Sequence, residues 1–158
     1  MVQFSCKSIY LLTIWAEWSW GSPAKMFMAD ILIVDDSSDI RGLLGAIVEM
    51  AGHNVREASD GRRGLQAVSE RAPDVVLLDV EMPVLSGPEM AYQLFLRNCG
   101  DEKIPVILQS GIVGLLEIAD MVGTPYFLQK PYTPEALLDM VARALQEQIA
   151  PRPRMGAR

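Results

Sequence analysis

Three carboxylates, a hydroxyl and an ammonium stand where apolar runs of this sequence stop. Asp35 and Asp36 follow ILIV (31–34), and Asp79 follows VVLL (75–78). Gln109 and Ser110 follow PVIL (105–108), and Gln129, Lys130 and Pro131 follow YFL (126–128). A carboxylate at the end of a buried strand is costly unless something nearby compensates it. Acids held close together also repel, which raises their pKa values unless a cation joins them. Lys130 offers one positive charge. A hard divalent ion, Mg2+ before others, suits an all-oxygen site with one or two direct carboxylates and several retained waters. Taken singly, each residue has a plain structural role: Asp35, Asp36 and Ser110 as caps, Asp79 opening a turn before Pro83, Lys130 as a surface charge. Falling together at four strand ends of one fold, they read as a site.

That convergence requires a parallel sheet. Continuous apolar runs mark strands buried on both faces, and the four runs are separated by longer stretches of helical period. Between the first two lies a helix with Ile40, Leu43, Leu44, Ile47 and Val48 on one stripe and Ser37 or Ser38 as its N-cap. A weaker, alternating strand at 54–58 carries Arg56 and Glu57, which suits an edge. Further helices open near Asp60, run over about 88–98, and begin at Thr133-Pro134-Glu135, where Thr133 caps and Pro134 takes the first turn. The last of these buries Leu137, Leu138, Val141 and Leu145. Five strands alternating with five helices predict a three-layer α/β sandwich with helices on both faces. Its ligand site belongs at the carboxyl ends of the strands.

The motifs ILIVDDSSDIR, GHNVREASDGRRGL, PDVVLLDVEMPVLSG, IPVILQSG and FLQKPY, in this order, resemble the response-regulator receiver family of two-component signalling over about residues 29–148. The resemblance implies a doubly wound, flavodoxin-like (CheY-like) fold with strand order 2-1-3-4-5. It makes Asp79 the acceptor of a phosphoryl group from the phosphohistidine of a sensor histidine kinase or histidine phosphotransfer protein. Asp36 and Asp79 would bind Mg2+ with the backbone carbonyl of Glu81, and Asp35 would help through a water. Lys130 would sit on the phosphoryl oxygens, Ser110 would move inward to hydrogen-bond them, and Phe127 is the switch aromatic. The Lys130-Pro131 peptide is expected to be cis. Such a protein catalyses its own phosphorylation and dephosphorylation while acting chiefly as a switch. Its readout would lie on a surface around residues 110–145, toward a downstream protein the sequence does not name.

The fourth helix departs from the family pattern. GIVGLLEIADMVGTPYFLQ (111–129) lacks the acidic residues usual after the family's Ser or Thr. Leu115, Ile118, Ala119 and Val122 form one face, while Ile112, Val113 and Leu116 lie outside it. Apolar residues beyond the buried stripe fit either a partner or homodimer surface or a short, deeply buried helix, and both stay open. The rival function is a receiver-shaped interaction module that works without phosphorylation. A nucleotide- or flavin-binding reading lacks a glycine-rich phosphate loop, because DDSSDI stands after the first strand. An Asp-nucleophile phosphatase would carry a second Asp where Glu81 stands.

The 158 residues suit one domain, and residues 29–150 hold 9 Lys and Arg against 19 Asp and Glu, a balance of −10 that speaks against nucleic acid. Cys6 and Cys99 sit in no disulfide or zinc spacing, as in a reducing cytoplasm. Residues 1–28 differ from the rest: they hold all three tryptophans and the run IYLLTIWA (9–16), too short to span a bilayer. Glu17 and WSWGSP make a poor cleavage region, so this stretch is read as an extension outside the fold, or second as a short docking segment. Residues 149–158, PRPRMGAR with the two before it, read as a basic, frayed tail. With so little chain after the last helix, the expectation is a receiver with no fused output domain. His53 reads as a solvated loop residue.

Overall fold

The computed structural model describes residues 28–98 and 104–154. Along them run β1 (Asp30–Val34), α1 (Ser38–Met50), β2 (Asn54–Ala58), α2 (Gly61–Glu70), β3 (Val75–Asp79), α3 (Gly87–Asn98), β4 (Val106–Ser110), α4 (Leu115–Val122), β5 (Phe127–Gln129) and α5 (Pro134–Glu147). The strands form one parallel sheet in the order β2-β1-β3-β4-β5. This is the expected doubly wound α/β sandwich, and the weak strand β2 lies at an edge, as its charge foretells.

Strand alternation divides the core into two layers, one on each side of the sheet. Leu32, Val34, Val76, Leu78, Val106 and Leu108 face α2, α3 and α4 through Leu65, Val68, Met90, Leu94, Leu115, Ala119 and Val122. Ile31, Ile33, Val75, Leu77 and Ile107 face α1 and α5 through Leu44, Val48, Leu137, Val141 and Ala144. Each large side chain so buried contributes roughly 1.5–3 kcal/mol relative to exposure. The helix starts follow the sequence signals: the side chains of Ser37, Asp60 and Thr133 accept from the backbone N–H of Ile40, Arg63 and Ala136. Each satisfies a donor that the first turn leaves without a helical partner.

Several places differ from expectation. Leu43, read as part of the apolar stripe of α1, is 63% exposed. His53 is half-buried, and its Nδ1 accepts from the backbone N–H of Ala29 at 3.4 Å, so it ties the chain before β2 to the start of β1. Residues 149–154 do not fray. The N–H of Ile149 donates to the Tyr126 hydroxyl at 3.3 Å, Pro151 is buried, and the N–H groups of Arg152 and Arg154 donate to the carbonyls of Gly123 and Met121 at 3.0 Å each. Arg154 also pairs with Asp120 at 2.8 Å. This segment therefore lies along the end of α4. Residues 1–27, Cys99 and residues 155–158, with the calls made on them, lie outside the described residues.

Candidate phosphoacceptor site

The carboxyl ends of β1, β3, β4 and β5 lie side by side. Asp79 pairs with Gln109 in register, and Ser110 with Gln129. Because the strands are parallel and adjacent, the residues that end their apolar runs are brought to one edge. Asp35 and Asp79 are both buried there, 1% and 5% exposed. Lys130 reaches in from the end of β5 and lies between them, with Nζ 2.6 Å from Asp79 Oδ1 and 3.3 Å from Asp35 Oδ2. The Lys130-Pro131 peptide is cis.

Backbone donors hold the acids as well. The N–H of Glu81 donates to Asp79 Oδ2 and that of Ser37 to Asp35 Oδ1, each at 2.9 Å. Arg41 reaches back from α1 to the Asp35 carbonyl at 2.7 Å. Burial pushes the Asp79 pKa up, and the nearby Asp35 charge adds to this, outweighing the hydrogen bonds and charge of Lys130. For Lys130, burial acts to lower the pKa, but the hydrogen bond and charge of Asp79, with those of Asp35, leave it raised. Lys130 is thus held as an ammonium between two acids.

The remaining predicted residues surround this pair. Asp36 is exposed, one residue beyond Asp35. The buried Ser110 donates through Oγ to Glu81 Oε2 at 3.3 Å and accepts from the N–H of Ile112 at 3.1 Å, so its hydroxyl points to the loop after β3. Phe127 is half-buried against the layer that holds Leu115, Ala119 and Val122 of α4. Gly87 opens α3 so close to the site that a Cβ there would lie 2.3 Å from the Asp79 carbonyl oxygen, which only the absence of a side chain permits.

Two residues belong to the site although the strand-end logic gave them no role. Gln109, fully buried, donates from Nε2 to Asp35 Oδ2 at 3.1 Å, and the Tyr132 hydroxyl donates to its Oε1. The signal was a primary amide ending an otherwise apolar strand, which demands two partners. Every buried side-chain nitrogen and oxygen among the described residues is hydrogen-bonded.

For a cation, the donor set is the test. Among the described residues no three His, Cys, Asp or Glu side chains already converge as a metal cage. Asp35, Asp36 and Asp79 against Lys130 nevertheless leave two negative charges at the strand ends, all on hard oxygens. That set fits an ion that takes one or two carboxylates and keeps waters, as Mg2+ does, and does not fit a zinc cage.

Known proteins resemble this chain in sequence and in fold. The chain is 35% identical over 118 residues to protein Rrf1 of Nitratidesulfovibrio vulgaris, covering 74% of this chain and 83% of that protein. It is 36% identical over 129 residues to the C4-dicarboxylate transport transcriptional regulatory protein DctD of Pseudomonas aeruginosa, covering 79% of this chain but only 27% of the relative. Among solved structures, the chemotaxis protein CheY4 of Vibrio cholerae superposes with a TM-score of 0.67 at 31% identity, over 73% of this chain and 98% of the other. Residues 31–142, which run from β1 into α5 and include every strand end described above, match the family of the response regulator receiver domain. With a family match over most of the chain and a relative 35% identical over most of its own length, the chain belongs to the response regulator receiver domain family.

Proposed function

We propose that the protein accepts a phosphoryl group on Asp79 from the phosphohistidine of a sensor histidine kinase or histidine phosphotransfer protein, and that this switches a binding surface around residues 110–145. The observation that carries it is the buried Asp79 carboxylate held 2.6 Å from the Lys130 ammonium at the strand ends. A carboxylate oxygen of Asp79 attacks phosphorus, the P–N bond breaks, and its electron pair returns to the imidazole. The products are an acyl phosphate and a free histidine. Phosphoryl transfer depends mostly on position and charge neutralisation. Lys130, released from the ionised acid, balances the new phosphoryl oxygens. A divalent ion such as Mg2+, held by Asp36, Asp79 and the Glu81 carbonyl with Asp35 assisting through a water, would supply the rest of the neutralising charge.

The Ser110 hydroxyl, which donates to Glu81 Oε2 at 3.3 Å, would leave that partner to donate to the phosphoryl group. Phe127 then follows on the side of α4. The new charge and contacts shift an equilibrium between two arrangements of the α4, β5 and α5 face. The downstream partner binds that face. Val113, fully exposed, and Leu116, 61% exposed, speak against a deeply buried α4 and in favour of a protein or second copy docking there. The reading carries a cytoplasmic location, where kinase phosphohistidine is available. Rrf1 is matched over most of its length, which supports a receiver that acts through its own surface.

Intact mass after incubation with Mg2+ and acetyl phosphate tests the acceptor. Wild type should gain one phosphoryl group, and Asp79→Asn or removal of Mg2+ by chelation should abolish the gain. Undiminished labelling of Asp79→Asn would overturn the assignment. No gain in wild type, with small donors and with kinases alike, would favour a module that binds without phosphorylation.

A further inference from the structure

Gln109 and Tyr132 lie behind the acid pocket and take no part in the transfer itself. A buried amide destabilises a core unless both its ends are bonded. Here both are, and the order of the bonds is fixed. The Tyr132 hydroxyl donates to Oε1, which leaves Nε2 to donate to Asp35 Oδ2 at 3.1 Å. Burial, with the charges of Asp35 and Asp79, pushes the Tyr132 pKa up, so the hydroxyl keeps its proton. Were the amide turned over, its carbonyl would face the carboxylate. Asp35 also accepts from the N–H of Ser37 at Oδ1 and from Lys130 at Oδ2. A carboxylate has about four lone-pair directions. Three are taken, and the one left is on Oδ1.

We propose that Gln109 and Tyr132 are positioning residues: the chain Tyr132–Gln109–Asp35 fixes the Asp35 carboxylate toward the divalent-cation site before the cation arrives. The proposal rests on the phosphoacceptor reading above. Partners that orient ligating groups from behind, when removed, typically weaken metal binding by roughly 10–100-fold. Since Asp35 assists through a water, the effect belongs at the low end. Without Gln109, the carboxylate keeps only the Ser37 N–H and Lys130 as partners, and cation binding must order it further.

The test is Mg2+ affinity by isothermal titration calorimetry without any phosphodonor, alongside melting temperature, for wild type, Gln109→Leu, Tyr132→Phe and the double variant. Gln109→Leu should raise the Mg2+ dissociation constant roughly tenfold. It should also lower the melting temperature, because the Tyr132 hydroxyl is orphaned. Tyr132→Phe should weaken Mg2+ binding too, by freeing the amide to turn. The double variant orphans nothing in the pair, so its melting temperature should recover toward wild type while its Mg2+ affinity stays low. A purely structural role predicts that affinity returns with stability, and that result overturns the proposal. So does a Gln109→Leu affinity within about twofold of wild type. If Gln109→Leu fails to fold, the double variant decides between the same two outcomes. Wild type that binds no Mg2+ would instead sink the cation site itself, and this inference with it.

Discussion

Burial works against the ionised form of Asp79, and that has a sign that can be measured. Its native pKa lies above the ordinary carboxylate value of 3.8. Between the ordinary and the raised value the native state binds more protons than the unfolded chain, so stability from this group falls as pH rises through that window. Above the window the penalty is complete. Asp79→Asn has no charge to bury and should melt higher than wild type at neutral pH, with the gap narrowing toward about pH 4. Calorimetry at both pH values checks this, and an equal or lower melting temperature at neutral pH would mean that the Lys130 pair outweighs burial. Most of the residues around Asp79 were legible in the sequence, because a doubly wound sheet puts chemistry at strand ends and apolar runs show where strands end. The Tyr132–Gln109 bond was not. It joins residues 23 apart on neighbouring segments, and only the register of β4 against β5 brings them together.

At the scale of elements, α4 is bounded by its glycines and held from outside. Gly123 ends it with φ of +71°, and a Cβ there would lie 1.9 Å from the Arg152 carbonyl oxygen. Gly123→Ala therefore faces left-handed backbone strain of about 1–2 kcal/mol and must also push residues 149–154 away. Hydrogen exchange should show the amides of Arg152 and Arg154 losing protection, while the amides of β1 and β3 keep theirs. Unchanged protection would show that the segment is held by Pro151 and Tyr126 alone. The buried face of α4 was largely legible from its spacing: Leu115, Ala119 and Val122 are buried, Ile118 is half-buried, and Val113 and Leu116 lie outside, but Ile112, expected outside as well, is half-buried against the same core. The docked C-terminal segment was not, since residues 149–154 have no apolar period and are held largely by backbone hydrogen bonds, which carry no side-chain signal.

For the whole molecule, the sheet sets the stability and the site draws on it. Ile107 is fully buried in β4, among the α1 and α5 layer and away from the acids. Ile107→Ala should cost about 2–5 kcal/mol by urea unfolding. Below its melting temperature it should still be labelled on Asp79, which separates fold from chemistry; loss of labelling in the folded variant would show that they are coupled through β4. Apolar runs revealed that the strands are buried but not which strand neighbours which. Strand order came with the family resemblance, since periodicity within a run carries no information about the next one.

Lys130 has one more consequence, in the order of synthesis. Among the described residues, Lys130 is the one cation paired with Asp35 and Asp79, and it lies 95 and 51 residues after them. As the chain leaves the ribosome, β1 and β3 emerge with both carboxylates while their counter-charge is still unmade. At about 5–20 residues per second, that interval lasts seconds. A sheet closed before Lys130 is made would hold two like charges side by side without that partner, so the pair that completes the site is also the last part of it to be synthesised.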